Sequence, residues 1–249
     1  MENDELLKRA EELRARCEKT ASVTHTTFLT PAEQYAVAKW AKFTPDCRVV
    51  FSGGHPDCER RAAFFLPFYM EEEYFDGGEY ICAIKIKAGF GEPGHRDYMG
   101  ALLGLGIKRE WLGDIWVKGD SATVFCLPTV KRHLLDSLDK VGRWGVKTAE
   151  LELSAVEAPE RKTKHMSFSV KSPRFDAVVA GMFNLSRTAA ADRINAGDAS
   201  LNYSQCLKLD APVKEGDIIS LRGFGKGILG AEGGQSRKGR TFLSAEIYK

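Results

Sequence analysis

The run Tyr80-Ile-Cys-Ala-Ile-Lys-Ile-Lys87 decides how the middle of this 249-residue chain folds. Ile84 and Ile86 alternate with Lys85 and Lys87, the two-residue period of a strand with one buried face. Downstream, the pattern from His95 to Gly106 predicts a helix. Asp114 to Val117 and Thr123 to Leu127 are predicted strands, separated by the turn signal Lys118-Gly119-Asp120. A helix over Val130 to Val141 and a strand over Val146 to Leu153 close the series. The resulting β-α-β-β-α-β order is the split βαβ arrangement of ferredoxin-like folds.

Working outward toward the N-terminus, Arg48 to Ser52 predicts a short strand ended by Gly53-Gly54, with a helix through Cys58 to Ala63. Leu6, Ala10, Leu13 and Cys17 mark one face of a first helix. A second helix begins at Thr30-Pro31-Ala32-Glu33, where Thr30 caps, Pro31 fits the first turn and Glu33 completes a capping box. Its expected inner face is Ala32, Ala36 and Trp40. Residues 1–45 thus form a helical docking element and residues 46–157 the α/β domain. Toward the C-terminus, Ala158 to Lys164 is charged and without apolar period, so residues 158–170 are expected to be a linker before a third domain, 171–249. There Ser172-Pro173 should start a helix with Phe175, Val178, Val179 and Met182 inside. Ser186 should cap another, ended by Gly197. Strand-like segments follow at Ala199 to Tyr203, Ile218 to Leu221 and Phe242 to Tyr248, and the Gly-rich stretch 223–239 predicts a mobile basic loop. The fold class is α+β.

Composition narrows the classes of function. The chain is 43% apolar and has no uninterrupted apolar run of membrane-spanning length. Its start, Met1-Glu2-Asn3-Asp4-Glu5, is acidic where a secretory signal is basic. The six Cys contain no C-x-x-C pair and are too sparse for a disulfide framework. A soluble protein of the reducing cytoplasm is expected. The net charge of +2 conceals an asymmetry: residues 161–249 hold 15 Lys+Arg against 8 Asp+Glu, and residues 1–160 hold 21 against 26. A basic C-terminal third behind an acidic front suits a nucleic-acid-binding module joined to something else.

Four motifs are weighed and set aside. Gly89-Phe-Gly91-Glu-Pro-Gly94 matches G-x-G-x-x-G, but Asp114 begins a strand instead of ending one, and Gly225 to Gly230 has no helix after it, so no dinucleotide cofactor is expected. His95-Arg96-Asp97 spells the kinase triplet without its downstream Asn or a D-F-G; Asp97 fits better as a charge in a helix's first turn. His55, Cys58 and Cys47 make an incomplete metal set, and no metal is expected. Gly89-Phe90-Gly91 and Arg222-Gly-Phe-Gly225 each carry only part of the base-stacking motif of RNA-recognition domains, and neither falls on the third strand of the run.

The C-terminal third is more specific. Arg174-Phe-Asp176, Leu185-Ser-Arg187 with its following helix to Ile194, Gly197 to Asn202, and Val213-Lys-Glu-Gly-Asp-Ile-Ile219 succeed one another in the order of an S4 domain, an RNA-binding module. The remaining features resemble the YlmH family of bacterial RNA-binding proteins: Thr27-Phe-Leu-Thr-Pro31, Ser52-Gly-Gly54, Glu59-Arg-Arg61, His95 through Arg109, and Gly113-Asp-Ile115. The resemblance implies a non-catalytic, cytoplasmic protein, monomeric and without cofactor, with a helical N-terminal element, an RRM-like middle domain and a C-terminal S4 domain. It implies contact with structured RNA (ribosomal RNA, tRNA or both) and with the large ribosomal subunit in quality control of stalled translation. The residues expected to contact RNA are Arg174, Ser186, Arg187, Thr188, Arg193, Asn202, Lys208, Arg222, Lys226, Arg237, Lys238 and Arg240. Arg60, Arg61, His95, Arg96, Lys108 and Arg109 suggest a second contact face. An RNA-modifying enzyme with an active site in the middle domain is the alternative.

Overall fold

A computed structural model describes residues 2–159, 163–235 and 239–248. The chain divides into two compact units, Met1–Pro159 and Glu160–Lys249. Helix α1 (Glu2–Thr20) buries Ala10, Leu13 and Cys17 on one side, the face expected from their spacing. Strand β1 (Thr24–His25) follows, then α2 (Pro31–Lys42). The capping box forms as expected: Thr30 Oγ1 accepts from Glu33 N, and Glu33 Oε2 accepts from Thr30 N at 2.6 Å. The inner face of α2 differs from expectation. Val37 and Ala41 are buried, Ala36 and Trp40 half-buried and Ala32 exposed, because α1 and the adjoining sheet meet the helix about one residue further round.

That sheet joins β1, β3 (Ala62–Phe65) and β2 (Val49–Ser52) in the order β1-β3-β2. The helix expected over Cys58 to Ala63 is absent, and Ala62 to Phe65 is a strand buried on both faces. A continuous apolar run carries no periodicity, so helix and strand could not be distinguished there. Strands β2 and β3 pack with α1 and α2 through Val49, Phe51, Ala63 and Phe65, while Val50, Ala62 and Phe64 on their other face pack with Ile81, Ala83 and Phe125 of the region that follows, so residues 49–65 are core to both.

The second sheet carries the expected β-α-β-β-α-β order: β4 (Cys82–Ala88), α3 (His95–Gly104), β5 (Leu112–Lys118), β6 (Ser121–Cys126), α4 (Pro128–Ser137), β7 (Lys140–Val141) and β8 (Trp144–Leu151). Its strand order is β5-β6-β4-β8-β7, all antiparallel, with β4 and β6 central. One face is closed by α3 and α4 through Ile84, Ile86, Val124, Tyr98, Leu102 and Leu134. Helix α4 ends at Ser137, four residues before the expected Val141, and the excess forms the added hairpin strand β7. Gly142, with φ +58°, makes that turn.

The second unit opens with β9 (Thr163–Val170), inside the stretch expected to be a linker. Its residues pair one-to-one with β14 (Thr241–Tyr248), a partner more than seventy residues away in sequence. Between them lie α5 (Phe175–Met182), α6 (Arg187–Asn195), β10 (Ala199–Leu201), β11 (Ser204–Gln205), β12 (Ile218–Leu221) and β13 (Gly225–Gln235). The sheet order is β11-β10-β12-β13-β14-β9. The N-cap of α5 is Arg174, not Ser172, and the stripe Phe175, Val178, Val179 and Met182 is fully buried as expected. The Gly-rich stretch is a correction: most of it is the long strand β13, not a loop. Its glycines permit close approach. A Cβ on Gly227 would lie 2.9 Å from the Glu246 carbonyl oxygen, and one on Gly230 2.4 Å from Ser244 Oγ. No helix among the described residues is long and apolar enough to cross a membrane.

Candidate RNA-binding site

In the second unit three aspartates hold five of the twelve expected residues. Ser186 caps α6, its hydroxyl accepting from Ala189 N at 3.1 Å, which places Arg187 and Thr188 exposed in the first turn. From there Arg187 Nη2 donates to Asp176 Oδ2 at 2.5 Å, while Arg174 Nε donates to Asp176 Oδ1 at 3.2 Å. The Asp176 side chain is only 9% exposed, whereas Arg187 remains 63% and Arg174 44% exposed. Burial pushes the Asp176 carboxyl up, but the Arg187 hydrogen bond and charge, the Ala177 N–H and the Arg174 charge outweigh it. The carboxyl is held below its ordinary 3.8. One buried carboxylate therefore anchors two guanidinium groups whose other N–H donors face water.

At the other end of α6, Arg193 Nη1 donates to Asp198 Oδ2 at 2.6 Å, and Arg222 Nη1 lies 3.6 Å from Asp198 Oδ1. The Arg193 guanidinium also sits 5.6 Å over the ring of Phe224, which packs on Phe183. Gly197, φ +78°, ends the helix and brings Asp198 round to the arginine. The third aspartate, Asp217, is buried and accepts from Asn202 Nδ2 at 2.9 Å and from Lys214 N at 2.9 Å. Asn202 in turn accepts from Ile218 N at 3.0 Å and has φ +48°. Its side chain locks a turn, so both of its polar atoms are engaged inside the fold.

The remaining expected contacts are dispersed. Lys208 is exposed on the segment between β11 and β12. Lys226 lies 5.8 Å over the Tyr248 ring, and Arg240 donates from Nε to Ser169 Oγ at 3.0 Å. Arg237 and Lys238 lie outside the described residues. Arg174 with Arg187, and Arg193 with Arg222, are thus brought together. Asp176, Asp198 and Phe224 were missing from the expected set, although Arg174-Phe-Asp176 and Gly197-Asp198 stand in the motifs that pointed to the site.

The suggested second face in the first unit does not assemble as a cationic patch. Arg60 donates from Nη2 to the Phe28 carbonyl at 2.8 Å, and Arg61 from Nη2 to the Pro56 carbonyl at 2.6 Å. Arg109 Nη1 reaches the carbonyls of Leu112 at 2.6 Å and Gly113 at 3.0 Å. Asp114 accepts from the backbone N–H groups of Glu59 and Arg60. Burial, then the Arg60 charge, lower the Arg109 guanidinium to about 10. These residues fasten the 53–61 turns to the 108–114 segment. His95, Arg96 and Lys108 are exposed. Asp97 accepts from Gly94 N at 2.8 Å, the first-turn role its position suggested. Gly91 of the glycine motif lies against Trp144, where a Cβ would come within 2.3 Å of Nε1. Cys58 and Cys47 belong to different apolar clusters, and the described residues contain no group of three His, Cys, Asp or Glu able to hold a metal.

Residues 2–65 match the family model described as "YlmH, N-terminal", and residues 74–155 match "Putative RNA-binding domain in YlmH". The chain belongs to the YlmH family. The break between the matches, residues 66–73, falls after β3, where the first sheet ends. This YlmH-family chain is 28% identical over 224 residues to the Bacillus subtilis "Ribosome-associated protein quality control protein P2", covering 90% of this chain and 87% of the relative. A solved structure, "Cell division protein ylmH from Streptococcus pneumoniae", shares the fold with a TM-score of 0.53 at 23% identity, over 62% of this chain and 93% of that one.

Proposed function

We propose that this protein is a non-catalytic, cytoplasmic accessory factor that binds structured RNA on the ribosome, with residues 160–249 acting as an S4-type module and residues 80–151 as an RRM-like domain. The observation that carries the reading is the pair Arg174, at the N-cap of α5, and Arg187, in the first turn of α6, both held on the buried Asp176 and both exposed. Free backbone N–H groups and the helix dipole favour phosphate at such a helix start, and anchored guanidinium groups suit its bidentate recognition. Arg193 and Arg222 on Asp198 extend the cationic surface to the helix's other end. Family membership and the name of the Bacillus subtilis relative support ribosome association. Ribosomal RNA of the large subunit, tRNA or both are the RNAs this reading names, and the factor acts as a monomer in quality control of stalled translation.

The test is RNA affinity against salt for Arg187→Glu, using a hairpin RNA. The variant should bind more weakly, and its salt dependence should be shallower by roughly 0.7–0.9 in log–log slope, one phosphate contact. Its circular dichroism should be unchanged. An affinity and slope equal to wild type would refute the assignment. Cleavage of the chain between Pro159 and Thr163 should leave two folded fragments, each retaining its amide dispersion.

A further inference from the structure

We propose that the first unit carries a separate single-stranded RNA site on the open half of its five-stranded sheet, where Lys85, Lys87, Lys118 and Lys147 track phosphates beside Trp116. It gives a surface and a ligand class to the RNA binding that the description of residues 74–155 names, shares no residue with the α5–α6 surface and stands whether or not that surface binds RNA.

Strand register fixes the arrangement. On the face away from α3 and α4, Trp116, Thr123, Lys85 and Ala149 lie side by side across β5, β6, β4 and β8. The next row on that face is Lys118, Ser121, Lys87 and Lys147. The row on the other side, Phe125, Ala83 and Leu151, is closed by an apolar cluster with Phe28, Leu127 and Val156. Half of the face is therefore core and half is open. All four lysines on the open half are exposed. Between them stand only small side chains, and a cavity of about 240 Å³ runs alongside, lined by Lys85, Trp116, Lys118 and Thr123 with Glu157 at its edge.

The charge on this face is not arranged for stability. Lys87 and Lys147 are direct cross-strand partners, and like charges opposite one another on neighbouring strands are unfavourable. Acidic neighbours offset only part of it: Lys87 Nζ lies 3.7 Å from Asp120 and Lys118 Nζ 3.1 Å from Glu157, both exposed pairs. Such pairs contribute little. A flat face with cations on three of four adjacent strands and one half-buried indole at its side is complementary to a polyanion with unstacked bases. The open half has no aromatic on the two central strands, so sheet-face recognition here rests on phosphate rather than on paired base stacking. Sequence-tolerant binding with strong salt dependence follows.

The experiment uses the full chain, a fluorescein-labelled 12-nucleotide oligouridylate, and the triple variant Lys85→Gln, Lys87→Gln, Lys147→Gln. Affinity at about 100 mM salt should fall at least about tenfold, and the log–log salt slope should become shallower by about 2, three contacts at roughly 0.7 each. Hairpin binding that depends on Arg187 should persist, and oligouridylate binding should persist in Arg187→Glu, which separates the two sites. The melting temperature should hold or rise, because the Lys87–Lys147 repulsion is gone. Should the triple variant fail to fold, Lys147→Gln alone should still lower the slope by roughly 0.7. Trp116→Phe should lose part of the tryptophan quenching seen when oligouridylate binds. An unchanged affinity and slope in a folded triple variant overturns the proposal. So does a variant that keeps oligouridylate binding but loses binding to polyglutamate, which would make the face a dock for an acidic protein.

Discussion

Arg109 in the first unit and Arg187 in the second are both surface-proximal arginines, yet different groups hold them. Arg109 donates to the main-chain carbonyls of Leu112 and Gly113, and Arg60 beside it to those of Phe28 and Leu112. Arg187 and Arg174 instead meet one buried carboxylate. A carbonyl offers only a partial charge, so an arginine satisfied by carbonyls stays cationic only against the cost of its burial, and Arg109 is lowered accordingly. A carboxylate neutralises at one edge and leaves the rest of the guanidinium in water. Identical side chains thus stitch loops together in one region and present charge in the other.

The largest effect expected from this contrast is on stability. Arg109→Ala removes a charged donor from the Leu112 and Gly113 carbonyls and should cost about 2–4 kcal/mol in urea denaturation of the full chain. Its RNA salt slope should equal wild type. A normal denaturation midpoint with weakened RNA binding would break the contrast by making Arg109 a contact residue.

Asp176→Asn should have a smaller effect on stability, about 1–3 kcal/mol, and should weaken hairpin binding although no cation has been removed. The tether, not the charge count, is what the substitution takes away. The two units should also respond to pH in opposite directions. In the second, Asp176 is held below 3.8, so its stabilisation is present above about pH 4 and is lost as pH falls through the lower folded value. Asp176→Asn should flatten that acid limb. In the first, burial pushes the Cys58 and Cys126 thiols up from 9.0 to about 12. They stay protonated in the fold while the unfolded chain releases protons above pH 9, so stability should fall between pH 9 and 10 by roughly 1 kcal/mol for each thiol. Denaturation curves of the separated fragments at these pH values check both limbs, and an alkaline loss confined to 160–249 would contradict the assignment.

What could be foreseen from the sequence follows the same physical divide. Periodic elements were legible: the stripe Phe175, Val178, Val179 and Met182, the Thr30 capping box, and the alternation over Ile84 to Lys87 all stand where their spacing put them. Segments governed by distant partners were not. Met166, Phe168 and Val170 do alternate with Ser167 and Ser169, a strand's two-residue period, but the run is short, follows a charged stretch without apolar period, and meets its partner β14 only across more than seventy residues. Glycine content made Gly225 to Gln235 look mobile, whereas the glycines are there to clear the carbonyl of Glu246 and the side chain of Ser244. For the site, positive residues could be listed, but their fate depended on which acceptor each one meets. Only the aspartates in Arg174-Phe-Asp176 and Gly197-Asp198 hinted at it.

The smallest effect belongs to Asn202, which the motif order placed among the RNA contacts and the geometry places in a turn. Its φ of +48° is a conformation that glycine adopts without strain. Asn202→Gly therefore isolates the side chain: it deletes the bonds to Asp217 and Ile218 while leaving the turn intact. The loss should be about 1 kcal/mol, with hairpin affinity within about twofold of wild type. Asn202→Ala deletes the same bonds and adds the left-handed penalty of a Cβ, about 1 kcal/mol more. The difference between the two variants measures the turn, and the glycine variant alone measures the hydrogen bonds. A drop in affinity for Asn202→Gly as large as that for Arg187→Glu would move the asparagine into the interface. It would also mean that the second unit binds RNA with a group already engaged by Asp217, which the exposed, carboxylate-anchored arginines of α6 do not require.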